Sequence, residues 1–401
     1  MRDLLKEAKE IINTLVEDRR YLHENAEVET ELPLTTAYVK NKLKNIGCEP
    51  QEICRSGISA VIGGKRPGKT FLLRADMDAL PIREETGLPF ASKTSNMHAC
   101  GHDLHTSMLL GAAQLLKRHE DDIHGQVKLM FQPAEEIVSG AKIMIEAGVL
   151  ENPNVDAAMM IHVFTGLPFP SGMIAIPPAG TISAASDSFT VNVRGKGGHG
   201  AMPQMSIDPL NVISHIHIAL QAVNARELSP NDITALTVGQ IHGGNAANVI
   251  PDAAFLSGTI RTYSKENRQF IKERVKEISL GIASTFRAAA DVEYFNGCPS
   301  VINSAELVRQ ITEYSINLLG KEQVADLADL AGGAYAKIPA SEDFGFVSEL
   351  VPSLMLILSA GSLQEGYQYP QHHPKALFNE DILYLGAALH ANSAIEWLKN
   401  N

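Results

Sequence analysis

The hydrophobic rhythm of the chain changes twice. Over residues 4–15 apolar positions recur at helical spacing among charged neighbours (Leu4, Leu5, Ala8, Ile11, Ile12, Leu15), which predicts an amphipathic helix. From residue 58, apolar runs alternate with amphipathic stretches. "ISAVIGG" and "KTFLLRADMD" read as strands, residues 105–119 as a helix, "QVKLMFQ" as a strand, "SGAKIMIEAG" as a helix and "AAMMIHV" as a strand. Apolar strands interleaved with amphipathic helices predict an α/β domain with a largely buried sheet.

Near Ser186 the pattern becomes period two. "SDSFTVNVRG" is followed by a helix over about 208–227, then "ITALTVGQIHGG", "DAAFLSGTIRTY", a helix over about 265–288, and "ADVEYF". That order is β-α-β-β-α-β, the split-βαβ or ferredoxin-like unit. After Cys298 the α/β style resumes, with a helix at about 304–319, the apolar strand "SLMLILSAG" and a closing helix at about 380–399. The predicted organisation is a discontinuous α/β domain (1–184 and 298–401) interrupted by a smaller α+β domain (185–297). A chain of 401 residues agrees, because single cores usually stop growing at about 250–300 residues.

Charge and composition narrow the function. With 34 Lys+Arg against 46 Asp+Glu, the formal charge is −12, and no long basic run is present. Nucleic acid and anionic membrane are therefore poor partners. The N-terminal stretch lacks the uninterrupted apolar region of a secretory signal. The most apolar later stretch, 156–186, is broken by Gly and Pro and cannot span a bilayer as one helix. Four scattered cysteines (Cys48, Cys54, Cys100, Cys298) give no disulfide framework, so a reducing cytoplasm is expected.

Candidate chemistry gathers at predicted strand ends. "MHACGHDLH" places Cys100 and His102 two residues apart, a spacing that aims both donors the same way on extended backbone. "FQPAEE" sets Glu135 and Glu136 directly after a strand, where one carboxylate can ligate a metal while the other moves protons. His162 ends an apolar strand, His372 and His373 share a Pro-bounded loop, and Asp76 and Asp78 end the strand "RADMDALP". Each has a plain structural explanation by itself: a buried thiol, an acidic pair at a helix N-terminus, a satisfied core histidine, a capping aspartate. Together they converge, since strand ends gather at one edge of an α/β sheet. Borderline-soft Cys and His beside carboxylates suit Zn, Mn, Co or Ni better than Mg or Ca. The donors are too many for one tetrahedral site, which points to two metals.

The ordered motifs "DMDALP", "MHACGHDLHTSMLLGAA", "FQPAEE", "IHV", "GKGGHGAMP…DP", "GGNAANVIPDAAFLSGTIR" and "HHP" resemble the di-metal aminoacylase and carboxypeptidase family over nearly the whole chain. The branch in view holds hippurate hydrolases, indole-acetyl-amino-acid hydrolases and N-acetyl-diaminopimelate deacetylases. The resemblance implies a di-metal α/β catalytic domain, with a mixed sheet flanked by helices, and an inserted ferredoxin-like lid domain through which two subunits pair as a homodimer. It implies Cys100, His102, Glu136, His162 and His372 as metal ligands, Glu135 as general base and Asp78 as a supporting acid. His199 becomes a lid histidine acting in the partner's site, and Asn248 and Arg261 the groups that hold a substrate carboxylate, a role suited to a guanidinium fork. One departure stands out: Ala26 in "HENAEVETELPLTT" occupies a position where the family has proline, near its substrate entrance, although the spacing to Thr35 is kept. Asp76 stands where more distant members place a metal-binding histidine, consistent with the use of Cys100 instead.

The expected activity is that of a metal-dependent amidohydrolase cleaving the amide of N-acyl amino acids. It would use two divalent ions per subunit (Mn or Zn, with Co or Ni possible) and a metal-activated water. Glu135 would take the proton of that water and deliver it to the departing amine, and His199 would stabilise the oxyanion. Three other readings compete: a dipeptidase or carboxypeptidase-type metallopeptidase, a catalytically silent metal-bearing binding protein, and a thiol hydrolase built on Cys100. Retention of Glu135 argues against the silent protein, and sensitivity to a chelator would distinguish the thiol hydrolase.

Overall fold

The computed structural model describes residues 3–330 and 337–401. Met1 and Arg2, which precede the predicted N-terminal helix, lie outside that range. The chain divides into two compact units. The first comprises residues 1–182, 301–338 and 343–401, and the second residues 183–300 with 339–342.

The first unit opens with helices α1 (Leu4–Glu10), α2 (Ile12–Glu24) and α3 (Pro33–Asn45). The predicted N-terminal helix is thus two helices, parted at Ile11, although its apolar face is buried as expected (Leu4, Ala8, Ile11, Leu15). Strands β1 (Gln51–Cys54), β2 (Gly57–Gly63) and β3 (Arg66–Asp76) follow, then α4 (His102–Arg118), β4 (His124–Gln132), α5 (Gly140–Glu146), β5 (Ala157–Phe164), β6 (Ile174–Ile176) and β7 (Gly180–Thr181).

The second unit contains β8 (Ala185–Arg194), β9 (Gly198–His199), α6 (Pro209–Ala222), β10 (Thr234–Gly243), β11 (Val249–Ile250), β12 (Ala253–Thr262), α7 (Lys265–Thr285) and β13 (Ala289–Cys298). The chain then returns to the first unit with β14 (Ile302–Asn303), α8 (Ala305–Leu319), β15 (Val324–Asp326), α9 (Leu327–Leu330), α10 (Gly345–Ser348), β16 (Ser353–Ser359) and α11 (Leu383–Asn400).

The expected mixed α/β architecture is the one observed. Among the described residues the first unit's sheet runs β1-β2-β4-β3-β5-β16-β14-β7, with β6 and β15 off that path. β4, β3, β5, β16 and β14 pair in parallel, while β1, β2 and β7 pair antiparallel. Both faces are covered, which is why these strands read as continuous apolar runs. Along β3, Phe71, Leu73 and Ala75 join the core under α4 and α11, whereas Leu72 points to a second core with Met130, Met160, Phe344 and Val347. Phe71 meets Trp397 of α11 with ring centroids 4.9 Å apart. Truncating such a buried aromatic costs about 3–5 kcal/mol. Because β3, β4, β5 and β16 run the same way, their C-terminal ends share one edge.

The second unit has an antiparallel sheet in the order β10-β12-β8-β13. Phe189, Val191 and Val193 of β8 pack with Val212, Ile213 and Ile216 of α6 and Ile271 and Val275 of α7. The order β8-α6-β10-β12-α7-β13 is the ferredoxin-like pattern read from the period-two segments. The helix expected to reach residue 227 leaves the α conformation at Ala222 and finishes as a π turn over Val223–Glu227.

Candidate active site

Five chain segments bring chemistry to the C-terminal edge of the first unit's sheet. Beyond β3, Asp78 is fully buried, and its carboxylate accepts from the backbone N–H groups of Glu135 (3.0 Å) and Glu136 (3.1 Å). The acidic pair therefore caps no helix. It sits in a turn after β4, and α5 begins only at Gly140. Two non-glycine residues of that turn, Ala134 (φ +57) and Val138 (φ +51), adopt the left-handed conformation, which costs of order 1–3 kcal/mol each and persists where surrounding structure enforces it.

The helix expected at residue 105 begins at His102, because Gly101 (φ +93) turns the chain into it. A Cβ at Gly101 would lie 2.5 Å from Val163 Cγ2 and 3.1 Å from the Phe378 ring, so glycine is required there. That turn sets Cys100 and His102 side by side at the sheet edge, with His162 on β5 across from them.

The buried donors are oriented by backbone. His102 Nδ1 donates to the Asp78 carbonyl (2.8 Å) and His162 Nδ1 to the Val163 carbonyl (2.7 Å). A carbonyl only accepts, so each ring carries a proton on Nδ1, which leaves Nε2 as the nitrogen that faces the cluster and can take a cation. His162 Nε2 lies 3.7 Å from Cys100 Sγ. His102 Nε2 lies 3.9 Å from Glu136 Oε1 and 4.0 Å from Glu135 Oε2, and His372 Nε2 lies 3.6 Å from Glu136 Oε2. His372 reaches in from a loop with φ +65, its N–H bound to the Ala99 carbonyl. His373 instead stacks on Tyr369.

These residues fit divalent cations. His102 Nε2 and Glu136 Oε1 are buried polar atoms without a hydrogen-bond partner, and Cys100–His102–His162, Cys100–Glu136–His372 and His102–Glu135–Glu136 each form a potential ligand group. Ligand bonds of about 2.0–2.3 Å hold donor atoms about 3–4 Å apart, the spacing seen here. Burial pushes Glu136 up to about 7 against the pull of the His102 ring, with Asp78 and Asp76 adding repulsion. Burial and the neighbouring Glu136 carboxylate likewise drive the Cys100 thiol well above its ordinary value. Acidic groups held this way in the apoprotein would be relieved by positive charge.

Several residues that hold this cluster together were given no role from the sequence. Arg74, fully buried, donates to Asp76 (2.6 Å), Gln132 (2.9 Å) and Asp343 (3.0 Å). Asp343 also accepts from Gln132 and from the Ala141 N–H at the start of α5. His105 bridges Asp76 Oδ1 (2.6 Å) and the Val163 N–H (2.8 Å). A lone arginine inside the apolar run "FLLRAD" was a readable signal, since arginine is seldom buried unpaired. Asp343 offered none, and His105 closes the histidine-rich stretch "MHACGHDLH" without anything there marking its part. Ala26 is buried, and its carbonyl holds the loop side chains of Thr94 and Asn96. The next residue, Glu27, accepts from the N–H groups of Leu34 and Thr35 at the start of α3.

The remaining expected site residues belong to the second unit. His199 on β9 pairs with Val249 of β11, beside Asn248, whose carbonyl accepts from the Gly200 N–H. Both His199 and Asn248 are exposed. Arg261 lies near the far end of β12, opposite Ser186 and Ala235, and donates to Thr259 Oγ1 (2.5 Å) and the Ile260 carbonyl (3.0 Å). Eight residues of strand, about 26 Å, separate it from the β12 end that adjoins β11.

The α/β unit, with its sheet covered on both faces, and its buried Cys/His/carboxylate cluster fit a metal-binding hydrolase of the α/β class. Residues 72–396 match the profile of peptidase family M20/M25/M40, and the chain belongs to that family, whose members hydrolyse amide bonds with the help of metal. It is 38% identical to "IAA-amino acid hydrolase ILR1-like 2" of Arabidopsis thaliana over 404 residues, 99% of this chain and 88% of that one. It is 36% identical over 389 residues to "N-acetyl-L-cysteine deacetylase" of Bacillus subtilis, 96% of this chain and 89% of that one. Among solved structures it resembles a dinuclear metal binding peptidase of the M20 family from Bacillus subtilis, with a TM-score of 0.80 and 31% identity, covering 98% of this chain and 100% of that one.

Proposed function

We propose that this enzyme hydrolyses the amide bond of N-acyl amino acids that carry a free carboxylate. The observation that carries the reading is the convergence of Cys100, His102, Glu136, His162 and His372 around Glu135, with the Nδ1 atoms of His102 and His162 held by backbone carbonyls and their Nε2 atoms left to the cluster. Those five residues would hold two divalent ions, Mn or Zn, with Co or Ni acceptable to the same donors. Bound there, the ions supply Lewis acidity and lower the pKa of a water.

Glu135 takes the proton of the attacking water and returns it to the departing amine. Asp78 holds Glu135 and Glu136 in register through their backbone N–H groups. His199 stabilises the developing oxyanion, and Asn248 and Arg261 hold the substrate carboxylate, Arg261 through its planar fork. The second unit acts as a lid and dimerisation domain. The length of β12 between Arg261 and the β9–β11 ribbon supports action in trans, because one lid cannot bring both of its ends to a single small substrate. His199 and Asn248 would then serve the partner subunit of a homodimer.

The two relatives named above act, by their names, on amino acids bearing an N-acyl group, which supports the substrate class. No described helix is long and apolar enough to cross a membrane, and all four cysteines are free, in keeping with a cytoplasmic setting.

The test is hydrolysis by metal-stripped protein reloaded separately with Mn, Zn, Co and Ni. The panel holds N-acetyl, N-benzoyl and indole-acetyl amino acids, N-acetyl-diaminopimelate and dipeptides. Activity confined to N-acyl amino acids supports the proposal. Cleavage of dipeptides alone overturns it in favour of a peptidase, full activity after chelation in favour of a thiol hydrolase, and silence on every combination in favour of a binding protein.

A further inference from the structure

One peptide unit of β5 links parts of the site that are distant in sequence. β3 pairs with β5 only as far as Arg74↔Met160, so beyond that point the edge of β5 facing β3 needs other partners. The N–H of Val163 donates to His105 Nε2 (2.8 Å), and the Val163 carbonyl accepts from both His162 Nδ1 (2.7 Å) and Gln371 Nε2 (3.0 Å). Because the Val163 N–H can only donate, His105 Nε2 must carry a lone pair and Nδ1 the proton directed at Asp76. His105 stands within ligand distance of Asp76 and His102, yet its one free lone pair is already engaged. Gln371 precedes His372, whose own N–H is fixed to the Ala99 carbonyl next to Cys100.

Resting on the metal-site reading above, we propose that His105 and Gln371 are positioning residues that act through the Val163 peptide. They orient His162 and the His372 loop for metal binding without ligating metal themselves. His105 fixes the plane of the peptide from its N–H side and ties it to Asp76. Gln371 grips the same carbonyl that sets the tautomer of His162, so two ligands from segments about two hundred residues apart share one anchor. Partners of this kind, one bond removed from a ligand, typically contribute 10- to 100-fold in metal affinity.

The experiment measures Mn and Zn dissociation constants of the metal-stripped protein by calorimetric titration, alongside the melting temperature of the metal-free form. The variants are Gln371→Met, His105→Ala and His105→Gln. Gln371→Met keeps the side-chain length in a part-exposed loop and should melt with the wild-type apoprotein, while one of the two ions binds 10- to 100-fold more weakly. His105→Ala should weaken binding comparably, and His105→Gln, which retains an acceptor for the Val163 N–H, should recover part of the loss. Wild-type affinity for both ions in Gln371→Met overturns the proposal while leaving the metal site intact, even if His105→Ala fails to fold. A fall in metal-free stability with no change in affinity also overturns it, by reducing both residues to structural supports. Wild-type protein that binds neither ion overturns the metal-site reading, and this inference with it.

Discussion

Replacing Asp78 with asparagine removes one negative charge and almost no volume from a fully buried position. In the wild type both carboxylate oxygens accept backbone N–H bonds, from Glu135 at 3.0 Å and Glu136 at 3.1 Å. Hydrogen bonds to a charged group contribute about 1.5–3 kcal/mol each, so the pair holds the turn with about 3–6 kcal/mol. Asparagine keeps one neutral bond of about 0.5–1.5 kcal/mol and turns an N–H toward the other donor, for a net loss of about 2–5 kcal/mol. The turn already contains left-handed Ala134 and Val138, so it relaxes once released, and Glu135 moves with it. At about 1.4 kcal/mol per tenfold in rate, kcat/KM should fall roughly 30-fold to a few thousandfold. The assay is steady-state hydrolysis of the best N-acyl amino acid at saturating metal, with calorimetric melting as a control for folding. A variant within about threefold of wild type, a difference below 1 kcal/mol, would show that Asp78 does not hold the acidic pair.

Three other outcomes follow from the same geometry. Arg74→Met leaves the Asp76 and Asp343 carboxylates buried without their shared cation; breaking such a network costs about 3–5 kcal/mol. At about 2–4 °C per kcal/mol, melting of the metal-free protein should drop by roughly 6–20 °C, and an unchanged transition would contradict the role assigned to Arg74. Glu135→Gln should retain metal and lose about 10²–10⁴-fold in rate. When it is co-refolded with an equally inactive His199→Ala chain, random pairing gives half mixed dimers with one competent site of two, so about a quarter of wild-type activity should return; no recovery would sink action in trans. Arg261→Ala should raise KM for carboxylate-bearing substrates and spare a neutral amide of similar size, and equal losses on both would refute the clamp.

The parts of the fold legible in the sequence are those that a single element's burial dictates. β3, β5 and β16 are buried on both faces and read as apolar runs, and β8 and β12, with one face on α6 and α7, read as alternation. α3 was missed because it buries Thr35 and Thr36 alongside Val39 and Leu43, so its buried face is not apolar. β7 and β14 are two-residue strands and β6 and β15 three-residue strands, set by the neighbours they pair with rather than by any pattern of their own. The early start of α4 hinged on one left-handed glycine against Val163, a contact made across some sixty residues of chain.

The same contrast governs the site. Residue type and order marked Asp76, Asp78, Glu135 and Glu136 alike as acids at strand ends, and nothing local says which of them meet a cation. Hydrogen-bond saturation separates two of them from a third. Both oxygens of Asp76 are engaged, by Arg74 and His105, and both oxygens of Asp78 by the backbone it supports. Glu136 keeps a buried oxygen with no partner, beside a His102 nitrogen in the same condition. A buried acid whose lone pairs are occupied by protein donors gains little by moving to a metal, whereas one left without a partner carries an uncompensated desolvation cost that a cation removes. On the proposed reading Asp76 and Asp78 are then scaffold and Glu136 the ligand, a division set for Asp76 by Arg74 and His105 and for Asp78 by a turn some fifty-seven residues further along the chain.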